Sequence, residues 1–414
     1  MRGWRALLRQ TLFGMALAWL ASTAAAGAPQ VILPRIGLAP DDVAVIINDE
    51  DPLSRRVGAY YAEARGIPAG NLIHVSFPPG RSALPGDEFG RLRERILKAT
   101  PAHVQAYAVA WTQPYRVGCM GMTAALAVGF DAANCANSCA ATQASSYFDS
   151  AARYPWSEYA MRPAMMLAGS DFPSVRRLID RGVASDSSFP AGKAYLLSTQ
   201  DRARNVRAAY FDRTATLLAD ILPIEIVAQS VLAERDDVLF YFTGLPQVPE
   251  LFSLKFQPGA LADHLTSFGG QLTDSSQMSS LRWLEAGATA SYGTVVEPCN
   301  HPQKFPFPAI AMAHYAAGES AIEAYWKSVA WPGEGVFIGE PLARPFAPRL
   351  TETGEGRYEL TFMALRPGRL TFSAAESPMG PFRPLPQAMP VHKGKNVIRF
   401  TLPATLHGFV RVNW

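Results

Sequence analysis

Two sequence patterns predict an α/β fold, with helices on both faces of a largely parallel sheet, followed by a small C-terminal β-sandwich. Up to about residue 348, short apolar runs alternate with segments of helical periodicity, which is typical of sheets that helices cover on both sides. From Arg349 onward, apolar and polar residues alternate with a period of two between Gly-Pro turns, and this pattern favours antiparallel strands. The predicted domains are two α/β subdomains, at residues 27–200 and 201–347, and the sandwich at 348–414.

The first β-α-β unit has the clearest pattern. An apolar run at 43–47 predicts a buried strand, residues 54–65 predict a helix that ends at Gly66, and residues 72–75 predict the next strand. The remaining α/β elements follow in chain order: helix 88–99, strand 106–111, strand 164–167, helix 172–182, strand 194–198, helix 204–220, strand 238–242, helix 280–286, strand 288–292, and helical segments 310–317 and 320–331. The sandwich strands are predicted at 357–365, 369–373, 396–402 and 408–414.

The N-terminus has the pattern of a secretory signal peptide. Three arginines within the first nine residues precede an apolar run at 12–21, and small residues follow up to a predicted cleavage after Ala26. The apolar run is about half of the ~20 residues that a membrane-spanning helix needs. We therefore expect cleavage, no membrane insertion afterwards, and a periplasmic or secreted protein.

The charge balance excludes two classes of partner. The chain has 38 Lys and Arg against 35 Asp and Glu, and the predicted signal peptide holds three Arg and no acid, so the mature chain is formally neutral. A nucleic-acid-binding protein would concentrate cations on one face. We expect neither a nucleic-acid partner nor attraction to an anionic membrane surface.

The four cysteines are expected to form disulfides rather than to bind metal. An oxidising compartment favours disulfides, and a single C-x3-C pair without a second such pair is a weak zinc signal. Cys119, Cys135 and Cys139 lie in a long loop over residues 112–162, and we predict at least one bridge among them. The state of Cys299 is left open.

Candidate functional residues follow from the rule that ligands bind beyond the carboxyl ends of strands in open α/β sheets. The rule selects residues 48–51, Gln113, Thr243 and Gly244, residues 257–267, and Glu297, Cys299 and His301. His264 could act as a base or metal ligand. Alternatively, Asp263 and His264 could begin a helix, with the helix dipole stabilising Asp263 and with His264 exposed.

The third loop offers further alternatives. Glu297, Cys299 and His301 alternate, so an extended segment would place them on one side, where Cys299 could be a thiolate nucleophile beside a base. A disulfide at Cys299 is the competing interpretation. Convergence of Asp263, His264, Glu297 and His301 would instead create a metal site with oxygen and nitrogen ligands.

Several familiar motifs are absent from the sequence. It contains no Gly-rich phosphate loop, no G-x-S-x-G and no H-E-x-x-H, and we expect no bound cofactor or metal as the leading case. An arginine-rich middle region is expected to be mostly a solvated helix face. Its members are Arg162, Arg176, Arg177, Arg181, Arg202, Arg204 and Arg207.

Longer stretches resemble a family of uncharacterised secreted proteins from bacteria with the exosortase (PEP-CTERM) sorting system. Among them are VAVIINDEDPLSRRVGAYYAEARGIPAGNLIHV, FQPGALADHLTSFGGQL and WLEAGATASYGTVVEPCNHP, and the match extends to about Pro348. The order of elements is also distantly similar to gingipain-type cysteine peptidases, which have a caspase-like α/β fold followed by an immunoglobulin-like sandwich. RPAMMLAGSDFPSVRRLIDR resembles their subdomain-joining segment, and VFIGEPL resembles their closing strand.

The chain departs from the peptidases at their catalytic dyad. The peptidases carry His-Gly after the strand equivalent to VLFYF and Cys after the next strand, where this chain has Thr243-Gly244 and Asp263-His264. The leading hypothesis is an accessory protein that acts with envelope or exopolysaccharide-system proteins. The alternative is an active thiol or metal-assisted hydrolase that uses Cys299 or the Asp263/His264 region.

Overall fold

The computed structural model describes residues 29–137, 139–403 and 405–414, and the predicted signal peptide lies outside these residues. The strands are β1 (Gln30–Ile32), β2 (Val43–Asn48), β3 (Leu72–Val75), β4 (Ala83–Leu84), β5 (Ala106–Val109), β6 (Arg116–Val117), β7 (Met120–Gly121), β8 (Ala164–Met166), β9 (Lys193–Leu197), β10 (Ile224–Val227), β11 (Val238–Thr243), β12 (Phe256–His264), β13 (Ala290–Thr294), β14 (Gly335–Gly339), β15 (Arg349–Gly354), β16 (Arg357–Ala364), β17 (Gly368–Ala375), β18 (Arg383–Val391), β19 (Gly394–Thr401) and β20 (Phe409–Asn413). The helices are α1 (Pro52–Arg65), α2 (Gly86–Ala99), α3 (Met122–Val128), α4 (Pro155–Tyr159), α5 (Phe172–Ser185), α6 (Phe211–Leu218), α7 (Leu281–Ala286), α8 (Pro308–Ala316) and α9 (Ala321–Ser328). The predicted α/β class is confirmed.

A ten-stranded sheet forms the centre of the α/β region, in the order β10-β9-β11-β12-β13-β14-β8-β5-β2-β3. Every neighbouring pair is parallel except β13 and β14, which are antiparallel. The sheet therefore consists of two parallel halves that run in opposite directions. Apolar runs carry no information on strand direction, which is why the sequence predicted one largely parallel sheet.

The opposed halves separate the predicted functional positions into two groups. Thr243 and His264 end β11 and β12, and Glu297 follows β13, so all three belong to one edge of the sheet. Asn48 ends β2 and Gln113 follows β5, so both belong to the opposite edge. Only the first group can contribute to one site at the carboxyl ends of β11 to β13.

Helices cover both faces of the sheet, as expected. In β2, Val43, Val45 and Ile47 pack in one hydrophobic cluster with residues of α1 and α5, whereas Ala44 and Ile46 pack in a second cluster with residues of α2 and α3. Because side chains alternate across a strand, an entirely apolar strand is buried on both faces. Helix α1 begins at an Asp51 cap, whose side chain accepts from the Leu53 amide, and ends at Gly66, which has φ +64°.

Two smaller sheets follow and share one hydrophobic cluster. Their orders are β1-β20-β17-β18 and β15-β16-β19, and the shared cluster includes Phe362 of β16 and Phe372 of β17. Strand β1 pairs in parallel with β20, Gln30 lying opposite Phe409. Residues 30–32 were predicted within the N-terminal subdomain, but they complete the C-terminal sheet.

Residues 112–162, which we call the cystine segment, are held by two disulfides. Cys119 is bonded to Cys135, which confirms the predicted bridge within this segment. Cys139 is bonded to Cys299 in the loop after β13, so the segment is tied to the other half of the sheet. Disulfides are typical of proteins in oxidising compartments. Across the described ranges, no helix combines the length and apolar character needed to cross a bilayer.

Candidate functional site

The carboxyl ends of β11 and β12 place three sequence-predicted residues, Thr243, Asp263 and His264, side by side. In the sheet register Thr243 lies opposite His264, and Phe242 lies opposite Asp263. Residues 257–267 were expected to lie beyond the carboxyl end of a strand, with a helix that begins at Asp263 as one alternative, but Phe256–His264 is itself a strand. Its pairing with β11 shifts between Val238 and Phe240, and Gly259 has φ +87°. Pro258 and Gly259 at this irregularity concealed the strand, since both residues are depleted in strand interiors.

His264 is fully buried and both of its ring nitrogens have partners. The indole Nε1–H of Trp283 donates to Nδ1 at 2.9 Å, and Nε2 lies 3.0 Å from the Met278 carbonyl, to which it donates. These partners select the neutral imidazole, and burial lowers the pKa of His264 to about 3. The predicted exposed histidine is therefore wrong. The ring has no nitrogen free to take a proton from a substrate.

Asp263 is also fully buried and pairs with Arg207. Its Oδ1 lies 2.6 Å from Arg207 Nη1, and the guanidinium donates to the carbonyls of Thr243 at 2.7 Å and Pro306 at 3.1 Å. Burial raises the pKa of Asp263 to about 6, and the neighbouring Arg207 charge opposes this rise. Asp263 stands at the end of a strand, so the predicted helix-dipole role is wrong.

Arg207 is the residue that sequence reasoning missed. It was assigned to a solvated helix face, but its side chain is 2% exposed. It lies in a 3-10 helix over Asn205–Tyr210 that precedes α6. No local pattern distinguishes Arg207 from its arginine neighbours, because its burial depends on strands that come later in the chain.

Thr243-Gly244, where the sequence resemblance would place a His-Gly pair, is closed by backbone. Gly244 lies so close to the Arg204 carbonyl that a β-carbon would collide with it. Thr243 is 1% exposed, and its carbonyl accepts hydrogen bonds from the Leu265 amide at 2.9 Å and from Arg207. The end of β11 is therefore tightly packed against neighbouring backbone.

The predicted alternation of Glu297, Cys299 and His301 is not realised. Cys299 and Asn300 have φ values of +55° and +50°, so this segment is not extended. Cys299 is in a disulfide and has no thiol to act as a nucleophile. Glu297 accepts from the Cys299 amide at 2.9 Å, and His301 donates from Nε2 to the Cys139 carbonyl at 3.0 Å. The three residues fix the loop around the disulfide.

The predicted four-residue metal site is not formed either. In the described part of the chain, no group of three or more His, Cys, Asp and Glu side chains could hold a metal ion. Asp263 and His264 are engaged inside the protein, while Glu297 and His301 bond to the loop that carries Cys299. The four predicted ligands therefore lie in two separate places, one pair in the buried end of β12 and the other pair in the loop around Cys299.

A second buried ion pair joins Lys304 and Glu334, which both belong to the chain segment that connects β13 to β14. Lys304 Nζ is 2.7 Å from Glu334 Oε1, with side-chain exposures of 0% and 1%. Tyr292 of β13 donates to the Lys304 carbonyl at 2.5 Å. Burial raises the pKa of Glu334 to about 7 against the opposing effect of Lys304. This edge of the sheet thus contains two buried charge pairs, neither of which the sequence analysis identified.

Comparisons with known proteins add little to this geometry. The sequence matches no family model and no curated protein. In structure the chain is similar to a solved chain described as "Structure of Protease", with a TM-score of 0.46 and 9% sequence identity, over 88% of this chain and 98% of that chain.

Proposed function

We propose that this chain is a secreted accessory protein without hydrolytic activity, built on a gingipain-type, caspase-like fold with an immunoglobulin-like sandwich. On this proposal it acts with proteins of an exosortase-linked envelope or exopolysaccharide system. The resemblance of its longer sequence stretches to the exosortase-associated family supports the association. The two disulfides are consistent with a secreted location.

The state of His264 is the observation that carries the proposal. A general base must reach the proton that it abstracts, directly or through one water. His264 is buried, donates to Met278 and accepts from Trp283. In the peptidase comparison, Asp263-His264 stands where the catalytic cysteine is expected, and here both residues serve internal contacts.

The alternative function, a thiol hydrolase, would need a free cysteine as its nucleophile. All four cysteines are in disulfides, so an enzyme would need a different attacking group. Asp263 is an unsuitable candidate because its carboxylate is paired with Arg207 and has no exposed surface. These contacts favour a structural role for the whole end of β11 and β12.

Hydrolysis assays test the proposal directly. The mature protein, with both disulfides intact, would be incubated with peptide and ester libraries between pH 5 and pH 9, with and without divalent cations. We expect no turnover above the uncatalysed rate. Turnover that falls at least tenfold in a folded His264→Gln variant would contradict the proposal.

A deletion strain of the source bacterium tests the biological role. Complementation by His264→Gln would be compared with Tyr315→Phe, which removes another buried hydrogen bond, from the Tyr315 hydroxyl to the Gly259 carbonyl. If His264 is structural, both variants should complement in proportion to the amount of folded protein. A defect confined to His264→Gln at equal folded protein would favour the enzyme.

A further inference from the structure

We propose that His314 is a pH-dependent latch on the cystine segment. When its imidazole is protonated, the ring holds residues 145–149 of that segment against α9, and when the ring is neutral it releases them. None of these residues belongs to the buried cluster at β11 and β12, so the inference is independent of the proposed function. It concerns a histidine for which the sequence analysis predicted no role.

Both ring nitrogens of His314 lie against carboxylates. Nδ1 is 3.1 Å from Glu319 Oε1, and Nε2 is 3.2 Å from Asp149 Oδ1. A carboxylate only accepts hydrogen bonds, and a neutral imidazole has only one N–H. The protonated ring, which has two N–H groups, is therefore the form that can donate to both partners.

The two carboxylates come from different parts of the chain. His314 lies in α8 and Glu319 in the connection from α8 to α9, whereas Asp149 belongs to the cystine segment. A neutral ring can keep one of the two bonds, but its other nitrogen then directs a lone pair at a carboxylate. The side chain of Asp149 is 63% exposed and that of Glu319 is 16% exposed. We therefore expect the bond to Asp149 to be the one that is lost.

Two backbone hydrogen bonds hold residues 145–149 at the C-terminal end of α9. The Ser145 amide donates to the Ala330 carbonyl at 2.8 Å, and the Asp149 amide donates to the Lys327 carbonyl at 2.9 Å. Asp149 has φ +47°, a conformation that a residue other than glycine keeps only where surrounding contacts hold it. Loss of the imidazole contact therefore removes support at the strained end of this stretch.

Other charged and titratable groups near the ring have partners that differ from those of the latch. Lys327 Nζ is 2.9 Å from Glu319, so this carboxylate has a second cationic partner. Burial raises the pKa of Tyr147 well above its ordinary value, and burial also raises the pKa of Glu323 in α9. On α6, which packs against α8, the charged residues are Asp212 and Arg213, and within the described residues neither forms an ion pair with the ring.

Release of residues 145–149 would expose side chains that this stretch now covers. Tyr147 is 0% exposed, and Lys327 Nζ lies 5.0 Å from the centre of its ring. Cys139 is tied to Cys299 by a disulfide, so the movement is limited to residues that follow Cys139. The stretch is thus preceded by a covalent anchor and ends at a contact that depends on pH.

Hydrogen exchange of the native chain, with both disulfides intact, tests the inference. Exchange would be followed by mass spectrometry at pH 5.5 and pH 8, on either side of the value of about 6.5 at which an imidazole in water changes charge. Each rate would be divided by the intrinsic chemical rate at the same pH. We expect the corrected rate in residues 145–149 to be about fivefold to tenfold higher at pH 8, because a hydrogen bond from a charged donor is lost there.

Three variants identify the group that is responsible. His314→Gln carries no charge at either pH, and its corrected rates should agree within about twofold. Asp149→Asn, whose amide oxygen can accept from a neutral ring, should behave in the same way. His74→Gln is the matched control, because His74 forms an exposed pair with Asp49 at 2.7 Å, and this variant should keep the native pH dependence.

The outcomes decide between the latch and a purely structural contact. The inference is overturned if the native corrected rate is the same at both pH values, if His314→Gln keeps the native pH dependence, or if His74→Gln loses it. Thermal unfolding verifies that each variant is folded, and Asp149→Asn decides the matter if His314→Gln does not fold. Hydrolysis and complementation do not enter these outcomes, so the proposed function is tested separately.

Discussion

At the scale of single residues, His264 shows how burial changes the role of a reactive side chain. An imidazole in water is a base near neutral pH, but here its two nitrogens connect β12 to the segment around Met278 and Trp283. Arg207 acts similarly, because one guanidinium joins Asp263 to the carbonyls of Thr243 and Pro306. Residues that could perform chemistry in a cleft instead stabilise the end of the sheet.

The lowered pKa of His264 predicts a dependence of stability on pH. The folded-state pKa is about 3, against about 6.5 for an unfolded chain. Below pH 6.5 the unfolded state binds a proton that the folded state does not, so the stability contributed by this residue falls as the pH falls. At pH 5 the loss should be on the order of 2 kcal/mol.

Denaturant unfolding of the native chain and His264→Gln at pH 7.5 and pH 5 measures this loss. The difference in unfolding free energy between the two proteins should shrink at pH 5. The comparison cancels most contributions of other groups, including Asp263, whose raised pKa of about 6 acts in the opposite direction. A difference that stays constant between the two pH values would show that His264 is not held in its neutral form.

At the scale of elements, periodicity predicted most strands and helices but not how they meet. The strand predicted at 43–47 is β2, and the helix predicted at 54–65 lies within α1, because their apolar patterns are regular. Strand β12 was missed since Pro258 and Gly259 interrupt its pattern. The candidate site could be placed at the right strand ends, but the burial of Asp263 and His264 depends on Arg207 and Trp283, which are distant in sequence.

The two disulfides are expected to differ in their effect on stability. Cys119–Cys135 closes a separation of 16 residues, and Cys139–Cys299 closes one of 160 residues. In the chain-entropy description the longer closure restricts the unfolded state more, by about 2 kcal/mol for a tenfold difference in length. Cys139→Ser/Cys299→Ser should therefore lower the unfolding free energy more than Cys119→Ser/Cys135→Ser does. Equal losses in chemical denaturation would show that local packing, rather than chain entropy, sets the contribution of each bridge.

At the scale of the whole molecule, the chain begins and ends its described course in the same sheet. The Gln30 amide donates to the Gly408 carbonyl at 2.8 Å, and β1 supplies an edge strand beside β20. A strand that pairs across almost the whole chain could not be predicted from local patterns. In the sequence, the segment around Gln30 is spaced by prolines and indicates only an irregular lead into the α/β region.

Removing this backbone donor tests the contribution of β1. Gln30→Pro eliminates the amide N–H and should destabilise the C-terminal sheet by about 1 kcal/mol, the net value of a hydrogen bond. Hydrogen exchange should become faster in β20 and remain unchanged in β2 and β11. Gln30→Ala keeps the donor and serves as the control. Unchanged exchange in β20 of Gln30→Pro would show that the sheet does not depend on this bond.

The pairing of β1 with β20 also limits the order in which the described strands can be paired during synthesis. Residues 30–32 are synthesised before the α/β region, but their partner at 409–411 is synthesised after it. Such a distant contact carries a large loop-closure cost and forms slowly unless other contacts have already brought its ends together. Strand β1 therefore remains without its partner until residues 409–411 have been synthesised, and a chain that stops before them lacks the strand that pairs with β1.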